Sequence, residues 1–219
     1  ARVLGQNGAD VRLSGTAADG TGSAAVTVAD TSIPGSISPS PLVTTISSGG
    51  GDVRIEGISQ SPDPAAKGLA LLTGLQSSSS VPPLYGPVRV DATSSEGSGG
   101  RVHLIGQRTS SSPGAAAVLI QPGAQLGTAT TTSVAIDSVR GDLVLAGRVN
   151  ADVVQLKSEA DLSSTASITS PGSAAATDIS LEAANTLRLG GSISGSSQPL
   201  QVSVLADAAN SGTAAISLE

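Results

Sequence analysis

An all-β solenoid, a parallel β-helix with three short strands per coil, is the architecture this sequence predicts, and three observations predict it. A Gly-x-aliphatic-x-aliphatic pattern recurs along the chain. The 219 residues include no Phe, Trp, Met or Cys and a single tyrosine, Tyr85. In the second half, paired aliphatics return every 20 to 25 residues, by subtraction of residue numbers. A globular domain of this length fills its core with aromatic rings, which bury the most area per ordered residue. A core one coil wide needs none, because stacked Val, Ile, Leu and Ala fill it as ladders.

The strand units follow in order. Residues 8–13 (GADVRL), 50–55 (GGDVRI), 99–104 (GGRVHL) and 141–145 (GDLVL) carry the pattern, and in residues 185–189 (NTLRL) Asn replaces the glycine. Each predicts one short strand with two inward side chains. From residue 134 onward the units stack into coils. One face carries Val134 and Ile136, Val154 and Leu156, Ile179 and Leu181, then Val202 and Val204. A second carries Leu143 and Leu145, Leu162, Leu187 and Leu189, then Ile216 and Leu218; a third carries Val149, Ile168 and Ile193. Gly, Asn, Ser and Asp between these runs supply the corners. The first half has the same units with longer excursions, at residues 33–41, 59–67, 76–87 and 107–114. Prolines at 34, 39, 41, 62, 64, 82, 83, 87 and 113 mark where strand pairing stops. Serine runs at 77–80 and 110–112 lack apolar anchors. Every excursion is followed by another strand unit, so residues 1–219 form one β-helix segment, expected to be part of a longer chain.

Composition excludes several functions. With 11 basic and 17 acidic residues the net charge is −6, which opposes binding to nucleic acid or anionic membranes. The longest apolar stretches, residues 69–75 and 115–120, are too short for membrane insertion. Without cysteine there is neither a disulfide framework nor a thiolate metal site.

The residues able to carry chemistry are sparse. His103, the one histidine, lies between Val102 and Leu104, so it faces outward while they face in. No second histidine completes a metal-ligand set, and no Gly-x-Ser-x-Gly elbow is present. Polysaccharide-cleaving enzymes also use β-helices, but they bring carboxylates into one groove, and sugars stack on aromatic rings. Here Asp137, Glu159, Asp161 and Glu182 fall on different coils and Tyr85 is the lone ring. No catalytic residue, cofactor or metal site is therefore expected. Asp10, Asp52 and Asp142 recur just before the first inward aliphatic, where a carboxylate accepts hydrogen bonds from corner amides; the calcium-binding Gly-Gly-x-Gly-x-Asp nonapeptide does not occur. Arg12, Arg54, Arg89, His103 and Arg188 occupy the outward position between paired aliphatics. Stacked at strand spacing they repel, and Glu56 and Asp91, two positions on, are expected to offset them.

Residues 199–219 (PLQVSVLADAANSGTAAISLE), 185–195 (NTLRLGGSISG) and 141–151 (GDLVLAGRVNA) resemble the repeat region of filamentous haemagglutinin-like exoproteins. The resemblance implies a right-handed parallel β-helix. It further implies a non-catalytic shaft of a secreted, surface-associated adhesin exported by two-partner secretion, extracellular or on a bacterial cell surface. Its partners would be neighbouring coils or copies of the same fibre, and a host-cell or matrix surface. The Asn-Pro-Asn signature of that family's secretion domain is absent. In an adhesin, Arg140-Gly141-Asp142 is a candidate interaction site, since it spells the tripeptide integrins recognise on exposed loops. The repeat accounts for Gly141 and Asp142, leaving only Arg140 extra. A carbohydrate-active β-helix enzyme and the repeating subunit of an extracellular filament are the alternative readings.

Overall fold

The computed structural model describes residues 2–5, 8–18, 24–29, 43–73, 87–93, 99–110, 112–171, 177–195, 199–206 and 215–218. The predicted excursion at 33–41, most of that at 76–87, the serine run at 77–80 and Tyr85 lie outside the described residues.

Short runs of alternating aliphatic and polar residues can bury only one face, so each becomes a strand that needs a sheet. The strands fall into seven coils of three. The first comprises β1 (Arg2–Leu4), β2 (Val11–Ala17) and β3 (Ala24–Ala29), and the second β4 (Thr44–Ser47), β5 (Val53–Ser59) and β6 (Lys67–Leu72). The third holds β7 (Val88–Asp91), β8 (Arg101–Arg108) and β9 (Ala116–Ile120), and the fourth β10 (Gln125–Leu126), β11 (Ser133–Val139) and β12 (Asp142–Leu145). Then come β13 (Arg148–Asn150), β14 (Val153–Ser158) and β15 (Leu162–Ser164); β16 (Ser167–Ser170), β17 (Thr177–Ala183) and β18 (Thr186–Leu189); and β19 (Ser192–Gly195), β20 (Leu200–Ala206) and β21 (Ala215–Leu218).

Every third strand joins the same sheet. Three seven-stranded sheets result, which we call A (from β1 to β19), B (from β2 to β20) and C (from β3 to β21). All the strand pairs within them are parallel, so each coil returns by a crossover of the kind that twisted strands favour in the right-handed sense. The predicted registers hold residue by residue: Val134 pairs with Val154, Val154 with Ile179 and Ile179 with Val202. Leu143, Leu162, Leu187 and Ile216 form a column in sheet C, and Val149, Ile168 and Ile193 one in sheet A.

Five aliphatic ladders fill the interior. In sheet B they run from Val11 to Val202 and from Leu13 to Val204. In sheet C one runs from Val26 to Ile216; the other, from Val28 to Leu218, is interrupted by Ser164 alone. Sheet A supplies the fifth, Val3, Ile46, Val90, Leu126, Val149, Ile168 and Ile193. The middle coils bury these rungs completely, as at Val53, Leu104, Ile136 and Leu162.

Two designs turn the corner between sheets B and C. In the first three coils Gly15, Gly57 and Gly106 occupy matching positions, and a Cβ on Gly57 would lie 2.0 Å from the Gly68 carbonyl oxygen. In the fourth and fifth coils Ser138 and Ser158 take that place, on corners of two or three residues. The Ser138 hydroxyl lies 2.8 Å from the carbonyls of both Gly141 and Asp142, and the Ser158 hydroxyl 2.8 Å from that of Asp161. The change of design coincides with a register shift between β9 and β12, where Ala116 pairs with Asp142 but Val118 with Leu143.

Arg108 is the largest departure from polar-outward alternation among the described residues. It follows Val102, Leu104 and Gly106 on the inward side of β8 and is wholly buried. Its guanidinium donates to the carbonyls of Asp63 at 3.0 Å and of Pro64 and Ala66, and its Nε to Ser110 at 3.3 Å. The side chain thus fastens the excursion between β5 and β6 to the rod.

Candidate functional site

The Gly-x-aliphatic-x-aliphatic units do not all sit on one face. Those at 8–13, 50–55 and 99–104 lead into β2, β5 and β8 of sheet B, whereas those at 141–145 and 185–189 lead into β12 and β18 of sheet C. The pattern marks a corner followed by a strand, whichever corner it is. The outward cations separate accordingly. Arg12, Arg54 and His103 stack in register on sheet B, Arg89 lies on sheet A and Arg188 on sheet C. The expected basic line is therefore three residues long.

That face of sheet B holds the most developed polar network among the described residues. Arg54 on β5 donates through Nη2 to Glu56 at 3.0 Å and through Nη1 to Nδ1 of His103 at 3.0 Å. His103 Nε2 lies 2.6 Å from Oδ2 of Asp137 on β11. An arginine can only donate, so Nδ1 accepts and Nε2 carries the proton given to Asp137. Both ring nitrogens are occupied, which leaves this imidazole no free lone pair with which to act as a general base. The strip continues through Lys157, the register partner of Asp137, to Glu182 at 3.0 Å. The hydrogen bond and charge of Glu182 hold the Lys157 ammonium above its ordinary pKa. Arg12 and Arg54 stack as like charges, each meeting a carboxylate two residues away, and beyond them cations and carboxylates interleave as strands at this spacing favour. Glu56 offsets Arg54 as expected. Asp91 does not offset Arg89: it is buried, accepting from the Ser47 hydroxyl at 2.6 Å and the Thr93 hydroxyl at 3.2 Å, while Arg89 donates to Gln125. A carboxylate buried at a corner caps hydroxyls instead of meeting the guanidinium two residues before it.

The recurring aspartates cap the next coil. Asp10 Oδ1 accepts from the Asp52 amide at 3.0 Å, and Asp52 Oδ1 from the Arg101 amide at 2.9 Å. At the other corner Asp142 Oδ1 accepts from the Asp161 amide and Asp161 Oδ1 from the Thr186 amide, both at 3.1 Å. In the sequence Asp161 stands only among the scattered carboxylates, because the Gly-x-aliphatic-x-aliphatic pattern that flags Asp10, Asp52 and Asp142 does not surround it.

Arg140-Gly141-Asp142 is the short B–C corner of the fourth coil. Arg140 is exposed and left-handed, with φ 57°; its amide donates to Glu159 at 3.1 Å and its guanidinium to the Thr109 carbonyl at 3.3 Å. Gly141 is buried, and a Cβ there would lie 2.7 Å from the Ala115 oxygen. Asp142 is half-buried on β12, where burial raises its carboxyl pKa against the lowering effect of the Asp161 amide, and the nearby Asp161 charge raises it further. Each residue of the tripeptide has a role in turning the corner.

The stacking brings Asp142 beside Glu159 and Asp161 of the next coil's corner. They line a shallow depression of about 320 Å³ with Arg140. Asp142 and Asp161 are committed to amides and Glu159 to the Arg140 amide. Among the described residues no group of three or more His, Asp or Glu has the arrangement to hold a metal ion. Comparison with known proteins gave no match: no family model, no curated protein and no solved structure matches the chain.

Proposed function

We propose that this chain is a non-catalytic shaft segment of a secreted, surface-associated fibrous adhesin or exoprotein of the filamentous haemagglutinin-like kind. One observation carries the reading: five aliphatic ladders run through seven coils, four without a break and one with a single serine, so that each coil rests on its neighbours alone. Such a body does one thing that a compact domain of equal mass does less well, which is to span distance stiffly. At about 4.8 Å per coil, seven coils cover roughly 30 Å. The polar groups support the same reading, since His103, Asp142 and Asp161 are spent on joining coils. Surface partners would meet the outer faces of the sheets.

Antibodies against the purified chain should label intact cells of the organism that makes it and detect the chain in the surrounding medium. Labelling that appears only after permeabilisation overturns the proposal. The purified chain should turn over no glycan in a polysaccharide panel, and chelation should leave its Tm unchanged. Turnover abolished by replacing Asp142 and Asp161 together would transfer the reading to a carbohydrate-active enzyme.

A further inference from the structure

Sheet A carries charge unlike the chain as a whole. The protein has 17 acidic residues against 11 basic ones, yet the seven strands of sheet A hold three arginines and a single carboxylate. That carboxylate, Asp91, is buried and accepts from the Ser47 and Thr93 hydroxyls. On sheet B, by contrast, Arg12, Arg54, His103 and Lys157 each meet a carboxylate.

The sheet A arginines also stand in line. Arg2, Thr45, Arg89, Gln125, Arg148 and Ser167 pair in register, one from each coil. They alternate along their strands with the buried rungs Ile46, Val90, Leu126 and Val149, which puts the whole column on the outer face. Its cations fall on the first, third and fifth coils, and so recur about every 10 Å along the rod. All three are exposed, and among the described residues none of them is in an ion pair. The groups between them, Thr45 and Gln125, are neutral and both donate and accept; Arg89 donates to Gln125 at 3.1 Å. A neutral residue between like charges removes the repulsion that direct neighbours would suffer, so the column persists without carboxylates in it.

A stiff row of evenly spaced cations fits a ligand whose anions are evenly spaced, and the amide and hydroxyl between them call for hydroxyls. An extended chain of β-linked uronic acids supplies both. Successive sugars of such a chain face opposite ways, so the carboxylates on one edge recur once per disaccharide, a length close to the height of two coils. Guanidinium forks grip carboxylates through two parallel hydrogen bonds. We propose that the outer column of sheet A binds a linear uronate polysaccharide along the rod, with carboxylates on Arg89 and Arg148 and sugar hydroxyls on Thr45 and Gln125. No aromatic ring adds stacking here, so each contact is weak and affinity accumulates over the length of the polymer. This goes beyond the shaft reading, because it names a ligand and does not depend on secretion or adhesion.

The test is binding of the whole 219-residue chain to immobilised polymannuronate, read by surface plasmon resonance. The parent chain should bind, should release as sodium chloride is raised, and should ignore the same polymer with its carboxyls reduced to alcohols. Arg89→Gln and Arg148→Gln should each weaken binding about tenfold, while Arg188→Gln on sheet C leaves it unchanged. Thermal melts should show all three variants folded like the parent, since exposed strand positions tolerate such changes. Gln125→Arg combined with Arg148→Gln keeps the net charge but moves the cations to adjacent coils, and should bind no better than Arg148→Gln alone. A parent chain that does not bind, or equal weakening by Arg188→Gln, overturns the proposal. Parent-like binding by the respaced variant overturns it in favour of charge alone, and tighter binding to dextran sulfate overturns the uronate assignment.

Discussion

Arg108 shows how much one side chain decides here. A buried guanidinium persists only where carbonyls replace its water, and it has those of Asp63, Pro64, Ala66 and Ser110. Arg108→Ala would leave these acceptors unmet and a void behind, costing about 3 kcal/mol. Urea unfolding should show the loss, and trypsin should cut faster after Lys67, which follows the freed excursion. Asp142 acts through its proton. Burial raises its folded pKa above the ordinary 3.8, so the folded state holds the proton more tightly than the unfolded one does. The resulting stabilisation is complete below pH 3.8 and is lost as pH rises through the folded pKa. Asp142→Asn keeps an acceptor for the Asp161 amide. Thermal melts across this range should therefore show a flatter acid-side dependence for the variant than for the parent chain.

Strands and corners follow simple parity, and the substitutions that test them are neighbours. Leu187 is fully buried on β18 and Arg188 points out. Leu187→Asp should cost several kcal/mol and Arg188→Asp stay within about 1 kcal/mol. Equal shifts in Tm would contradict the alternation. Leu189 would be a milder test, because its place next to the last coil leaves it partly exposed. At the B–C corner, Gly57→Ala would drive a methyl into the Gly68 carbonyl and should cost about 3 kcal/mol, measured by urea unfolding. These elements were legible in the sequence wherever aliphatics two apart returned at a short interval, which is why the registers from Val134 to Val202 could be read directly. The first coils hid theirs, because Val11, Val53, Val102 and Val134 are 42, 49 and 32 residues apart by subtraction, and no short period reveals them. Arg108 was missed for another reason. Its parity with Val102, Leu104 and Gly106 marks it as inward, but charge is ordinarily read as outward. The cross-coil chain from Glu56 to Asp137 joins residues 81 apart in number, and only the stacking of the long coils brings them into contact.

At the scale of the molecule, stability is a sum of coils and their interfaces, so a coil should be removable. Deleting residues 154–178 would take out β14, β15 and β16 and place Ile179 against Val134, Leu187 against Leu143 and Ile193 against Val149. Every new interior contact is aliphatic, Asp142 would meet the Thr186 amide in place of that of Asp161, and Glu182→Lys would be added so that Asp137 keeps an unlike partner once Lys157 is gone. The shortened chain should remain folded, with its long dimension in small-angle X-ray scattering reduced by about 4.8 Å. A molten chain would contradict nearest-neighbour stacking. The unequal coils carry a consequence of their own. A turn that uses 49 residues climbs no further than one that uses 20, because the surplus leaves the ladder at a corner and returns to it. Reach is thus counted in turns, and sequence length is free to drift. A peptide inserted between β5 and β6 would be displayed at a fixed height along the rod, and nothing held at either end would register the change.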